Sequence, residues 1–216
     1  SAQSGPHVAS LMLAPTYIAD GLTEAGCDEA GRGALAGDLY AAAVIWDPAK
    51  PLPGINDSKQ LTARKREELR RIIEQEAVAW AVGVATIEDV DRLNVLYASF
   101  LAMHRAVSAL RIMPQRLLID GNRFTPYPGI PHHCLVKGDA TYVSIAAASV
   151  LAKTHRDAYM HRLDAAYPQY GWAHNAGYPT KAHRSAIAKY GLSPYHRKTF
   201  HCLPGEPLFD SSDRVD

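Results

Sequence analysis

Asp28 and Glu29 stand side by side after an apolar run, Ala25-Gly26-Cys27, and lead into Ala30-Gly31-Arg32-Gly33. Two adjacent carboxylates repel each other unless a cation shares them, and hard divalent ions with oxygen ligands suit that role. Gly31 and Gly33 lack Cβ, so the backbone there can adopt positive φ and approach a ligand closely. Arg32 adds a charge-assisted contact suited to phosphate. Acids, a cation and a phosphate-friendly backbone point to metal-assisted phosphodiester chemistry. Neighbouring side chains on a strand face opposite ways, so the two acids are expected to converge where the strand ends, with Gly31 as the bend. The competing reading is an exposed acidic turn.

The same logic recurs twice. Leu117-Leu118-Ile119-Asp120-Gly121 places a third carboxylate at the end of an apolar run, although Asp-Gly is also a common turn. Val136-Lys137-Gly138-Asp139 supplies a fourth, with Lys137 beside it to balance charge or touch a phosphate. Four such acids can hold two Mg²⁺ or Mn²⁺ ions about 4 Å apart, one activating water and one stabilising the leaving oxygen. Without a cation they would raise one another's pKa values and partly neutralise. Asp157 competes for the fourth position, but beside Arg156 in a helical stretch it reads as a structural ion pair. Tyr178, in the Gly/Pro-rich loop Asn175 to Thr180, presents a ring that could stack on a sugar or base. His196-Arg197-Lys198-Thr199 is a compact basic cluster suited to phosphate, or a solvated tail.

These residues need strands that end together. Apolar and β-branched runs at 25–28, 39–46, 79–86, 116–119 and 133–136 read as five strands. Helices are expected over 63–76, with Thr62 as N-cap, and over 94–111, 144–166 and 180–190, the last stopping at Gly191. Early strands paired as a hairpin, followed by alternating helices and strands, imply an α/β fold: a mixed sheet flanked by helices. Ligands gather where the ends of such strands meet loops.

Composition narrows the field. With 216 residues and 47% hydrophobic content the chain can bury one core. Its formal charge of +1 does not announce a polyanion partner. Charge is segregated, however, with nine Lys or Arg against three Asp from Lys137 to His201. Three scattered cysteines fit a reducing, cytoplasmic setting, and their spacing to the histidines argues against zinc. His155, His161, His174 and His183 read as surface histidines. Val8 to Ala14 is too short to cross a bilayer, so no membrane association is expected. We expect a flexible arm over 1–20, a catalytic domain over 21–203 and a flexible tail over 204–216.

In order along residues 22 to 202, the motifs at 28–33, 35–37, 41–44, 56–59, 120–122, 137–139, 145–153 and 177–180 resemble bacterial ribonuclease HII, the type 2 ribonuclease H family. The resemblance implies a ribonuclease H-like mixed five-stranded sheet flanked by helices, with a C-terminal helical region. It implies endonucleolytic cleavage of RNA paired with DNA and incision 5′ to ribonucleotides embedded in duplex DNA, leaving 3′-hydroxyl and 5′-phosphate ends. By position Asp28, Glu29, Asp120 and Asp139 match the family's metal-binding carboxylates, for Mg²⁺ or Mn²⁺. Gly31, Arg32 and Gly33 match the loop that contacts the ribonucleotide 2′-hydroxyl, and Tyr178 matches the tyrosine that checks the sugar at the RNA to DNA junction. Ser58 and Lys59 match a segment that approaches the nucleic-acid backbone.

Two positions depart from that pattern: Asp38 stands where proline is usual, and Thr199 where serine is common. Three rivals differ in particular features. Four-acid exonucleases typically separate their first two acids by one residue, whereas Asp28 and Glu29 are adjacent. Ribonuclease HIII usually ends its acid set in glutamate and carries a long N-terminal domain, whereas this chain has Asp139 and a short arm. A binding-only hybrid module has no use for four mutually repelling acids. A monomer is expected, since the binding surface must wrap a duplex.

Overall fold

The computed structural model describes residues 12–209; the side chains of Asp57, Ser58 and Lys59 lie outside the described residues. A five-stranded sheet runs in the order β3-β2-β1-β4-β5. Its strands are β1 (Glu24–Ala30), β2 (Leu39–Ile45), β3 (Ala79–Ala85), β4 (Arg116–Asp120) and β5 (His132–Leu135). β1, β2 and β3 pair antiparallel, while β4 and β5 add parallel beyond β1. The fold class and all five strands follow the sequence expectation. The one change that matters for the site is at β1, which continues two residues past Asp28 to Ala30.

Helices cover both faces. On one, α3 (Val95–Ser108) packs Ala102, Met103, Ala106 and Val107 against Ala25, Cys27, Ala41 and Ile119. On the other, α4 (Val143–Ala166) and α1 (Ala63–Glu76) enclose Ala42 and Val44 with Leu151, Leu69 and Ile73. Each large aliphatic side chain buried this way contributes about 1.5–3 kcal/mol. Small residues let α4 press onto β1, and a Cβ on Gly26 would lie 2.3 Å from the Ser144 backbone. α1 has the expected bounds, and Thr62 caps it by accepting from Lys65 N. α3 stops three residues short of expectation. α2 (Ile87–Leu93), opened by a Thr86/Asp89 capping box, and the short α5 (Trp172–Asn175) are additions. α6 (Lys181–Tyr190) is capped by Thr180 and ends at Gly191, as expected.

Both expected flexible ends are anchored where they are described. Ala14 pairs with Thr141 and Val143 through Ala14 N to Thr141 O (2.8 Å) and Val143 N to Ala14 O (3.0 Å). The buried Arg116 guanidinium bonds both Asp20 and Glu24, and it draws the Asp20 carboxyl down to about 2. The segment from Met12 to Asp20 is therefore part of the body, because a buried guanidinium needs those acids. At the other end, His201 N donates to Leu208 O, and the Phe200 and Phe209 rings sit 4.5 Å apart. Residues 1–11 and 210–216 lie outside the described residues.

Candidate active site

The three parallel strands end side by side, and their ends deliver the acids. β1 and β4 pair through Cys27 and Ile119, so Asp28 and Asp120 come next on adjacent strands. Asp139 follows β5, in a 3-10 turn (Gly138–Ala140) just before α4. Ligand oxygens of Asp28, Asp120 and Asp139 all lie within 4.8 Å of one another. Backbone amides set two of the carboxylates: Glu29 N donates to Asp28 Oδ1 (2.8 Å), and Asp139 N donates to Asp120 Oδ1 (3.1 Å). Lys137, left-handed at φ 56°, turns the chain into this position and is itself exposed.

Glu29 does not join the trio. β1 runs on to Ala30, with Ala25 and Cys27 on the α3 face and Gly26 against α4, and the Glu29 carboxyl lies close to those of Asp28 and Asp120. The trio therefore has Glu29 beside it, on a strand that ends at Ala30 rather than at Asp28. Glu29 Oε1 lies 3.5 Å from Arg32 Nη1, whereas Glu29 Oε2 is buried without a hydrogen-bond partner.

The electrostatics are those of a site built for positive charge. Burial, then the charges of Glu29 and Asp120, hold the Asp28 carboxyl well above the usual carboxylate range. Burial also raises Glu29 against the pull of Arg32, and it raises Asp120. An all-oxygen donor set, raised carboxyls and an orphaned buried Glu29 oxygen all fit a hard divalent cation.

Beside the acids, Gly31 to Ala34 forms a tight turn closed by Ala34 N to Gly31 O (3.3 Å). Gly31 has φ 99°, and a Cβ there would lie 2.2 Å from Arg156 Nε, so only glycine fits. Gly33 has no positive φ, contrary to expectation; a Cβ there would meet only the Tyr178 ring at 3.8 Å. Tyr178 comes from the loop before α6, and its hydroxyl accepts from Gly31 N (3.2 Å). Tyr178 is thus tied to the Gly31–Gly33 turn, which follows directly on Asp28 and Glu29 in the chain.

The family description Ribonuclease HII matches residues 25–203. The chain is 60% identical over 193 residues to a Ribonuclease HII of Parabacteroides distasonis, covering 89% of this chain and 96% of the relative. It is 60% identical over 199 residues to that of Phocaeicola vulgatus, covering 92% and 98%. The chain belongs to the ribonuclease HII family. Among solved structures, the ribonuclease H2 of Pyrococcus horikoshii OT3 superposes with a TM-score of 0.70 at 28% identity, over 84% of this chain and 95% of that one. RNase HII of Archaeoglobus fulgidus, solved in a complex with PCNA, gives 0.68 at 25%, over 81% and 92%. A Bst-RNase HIII structure with Mn²⁺ gives 0.61 at 21%, a likeness of fold.

Within this fold several expectations change. Arg197, read as part of a phosphate-binding cluster, is fully buried and donates to carbonyls of Gly31, Arg32 and Gly37. Arg156, expected to pair with Asp157, is 2% exposed and donates to carbonyls of Ala36, Asp38 and Ala176. Asp38, at the position where the resemblance implies proline, accepts from Ile87 N (3.0 Å) at the start of α2 and donates its own amide to Tyr159 Oη (3.1 Å), a bond proline lacks. His183 is buried rather than on the surface. Its Nε2 meets Trp172 Nε1 and His196 Nε2, and its Nδ1 meets Tyr178 O. The spacing of His183 and Ile187, four apart on α6 and both buried, was the signal for this. Ser58 and Lys59 fall in a 3-10 helix (Ile55–Gln60), with side chains outside the described residues. Among the described residues no helix is long and apolar enough to cross a membrane.

Proposed function

We propose that this chain is a divalent-metal-dependent endoribonuclease that hydrolyses the RNA strand of RNA/DNA hybrids and nicks 5′ to a ribonucleotide embedded in duplex DNA. The products are 3′-hydroxyl and 5′-phosphate ends. The observation that carries the reading is the acid trio at adjoining strand ends, set against a glycine turn roofed by Tyr178. Asp28, Asp120 and Asp139 hold Mg²⁺ or Mn²⁺, with Glu29 supplying its unpartnered oxygen from the flank. Such ions, when bound, polarise the scissile phosphate and acidify an attacking water.

The protein's own groups select and place the substrate. The turn Gly31-Arg32-Gly33 reads the 2′-hydroxyl, the group that separates ribose from deoxyribose. Tyr178 packs against the sugar that follows, and Lys137, Ser58 and Lys59 contact phosphates. Residues 21–203 act as the catalytic unit, as a monomer in the cytoplasm.

The test is cleavage of three duplexes: one bearing a single ribonucleotide, an all-DNA control and a long hybrid. Each is incubated with Mg²⁺, Mn²⁺ or EDTA, beside Asp120→Asn. Metal-dependent nicking 5′ to the single ribonucleotide, absent from the control and the variant, is expected. Binding without cleavage under every metal condition would overturn the reading.

A further inference from the structure

We infer that Arg197, with Arg156 beneath it, is the positioning residue that makes the Gly31–Gly33 turn a 2′-hydroxyl reader. This rests on the function proposed above and deepens it. Arg197 touches no surface, yet its fork captures three carbonyls at once: Gly31 O (2.7 Å), Arg32 O (3.0 Å) and Gly37 O (3.0 Å). Arg156 draws in Ala36 O (2.9 Å) and Asp38 O (3.0 Å). Every peptide bond among the described residues is trans. Where a carbonyl points inward, the amide of the next residue therefore points outward. Capture of Gly31 O and Arg32 O thus aims the amides of Arg32 and Gly33 away from the core.

Neighbouring amides of this segment are already engaged. Gly31 N donates to Tyr178 Oη, Ala34 N to Gly31 O, Leu35 N to Gly177 O, Gly37 N to Tyr195 O and Asp38 N to Tyr159 Oη. Among the described residues, Arg32 N and Gly33 N have no protein acceptor. Two adjacent, outward, unpaired donors beside an acid trio form a receptor for one hydroxyl oxygen. The guanidinium also polarises the two peptides whose amides do the reading, which strengthens them as donors. A lysine carries the charge but is a single point and cannot hold three carbonyls in register.

The measurement is the binding ratio between a duplex with one ribonucleotide and its all-DNA counterpart. It is taken with Mg²⁺ in an Asp120→Asn background, with and without Arg197→Lys. We expect Arg197→Lys to lower the ratio about tenfold, the scale of one good hydrogen bond, while affinity for all-DNA stays within about twofold. A purely structural role would lower the folded fraction and weaken both duplexes together, leaving the ratio intact. If Arg197→Lys does not fold, judged by its melting curve, Arg197→Gln and Arg156→Lys are read the same way. An unchanged ratio in the variants that fold overturns the inference. A ratio near one in the Asp120→Asn protein with Arg197 intact would instead sink the proposed function.

Discussion

Replacing Asp28 by asparagine should stabilise the metal-free protein while abolishing its chemistry. Asp28 is 5% exposed and has ligand oxygens within 4.8 Å of those on Asp120 and Asp139. At an effective dielectric of about 20, two unit charges that far apart repel by roughly 3.5 kcal/mol. Charge spread over each carboxylate and partial protonation reduce this to a net gain of about 1–3 kcal/mol. Asparagine keeps the Oδ1 that accepts from Glu29 N, so the backbone is not disturbed. Burial and like charge raise the folded pKa of Asp28 above its ordinary 3.8. The folded state therefore holds this proton more tightly than the unfolded chain does. Stability is fully present below 3.8 and is lost as pH rises through the raised folded value. The advantage of the variant is accordingly near zero at pH 3.8 and full well above the folded pKa. In a chain of this length, that advantage amounts to roughly 2–12 °C in Tm at pH 8. Saturating Mg²⁺ should reverse the order by stabilising the wild type, by about 4.1 kcal/mol at a thousand times its Kd. The assay is thermal melting from pH 4 to 8 in EDTA and in Mg²⁺. A variant that melts below wild type in EDTA at pH 8, or a gain that does not grow with pH, would refute the reasoning.

Three further perturbations test the surrounding fold. Gly26→Ala drives a Cβ into the Ser144 backbone and should cost about 1–3 kcal/mol, read as a lower urea midpoint with an unchanged slope. Tyr178→Phe leaves the buried Gly31 amide without its acceptor. It should cost about 1 kcal/mol in a melt and lower kcat/KM for single-ribonucleotide duplexes several-fold. His196 is buried neutral, its pKa pushed down to about 4 by burial and then by His183. Its folded pKa is depressed, so it contributes stability above pH 6.5 that is lost as pH falls towards 4, about 3 kcal/mol in all. The acid-side loss of Tm should be visibly shallower in His196→Asn.

How legible each part was depends on how local its cause is. Asp28, Asp120 and Asp139 could be read from the chain because each follows a short apolar run and meets glycine within three residues, a pattern confined to one strand end. The course of β1 past Asp28 could not, because it depends on pairing with β2 as far as Ala30↔Tyr40. Arg156 and Arg197 look like any surface cations. What makes them interior is a set of carbonyls on a segment more than a hundred residues away, and a carbonyl leaves no mark in the sequence. The anchoring of Met12 to Asp20 was hidden for the same reason, since Arg116 finds Asp20 only after β4 joins β1. α2 is seven residues long and too short for a periodic signal, although Thr86 and Asp89 carried its cap.

The segment from Asp28 to Asp38 divides two buried charges of opposite sign. On one side lie carboxylates with raised pKa values; on the other lie two guanidiniums whose donors reach carbonyls rather than acids. Burial, then the neighbouring Arg156, lowers Arg197 to about 9, so it stays charged at neutral pH. The Asp38 carboxylate lies near both guanidiniums but bonds Ile87 N instead. Moving the arginines into contact with the acids would relieve both clusters, and the fold forgoes that gain. Kept apart, the raised acids suit divalent cations, and the arginines hold carbonyls of the intervening segment. A site that neutralised itself internally would be more stable and would have less to offer a phosphodiester backbone or a 2′-hydroxyl. The separation of charge across eleven residues is therefore what the chain trades stability for.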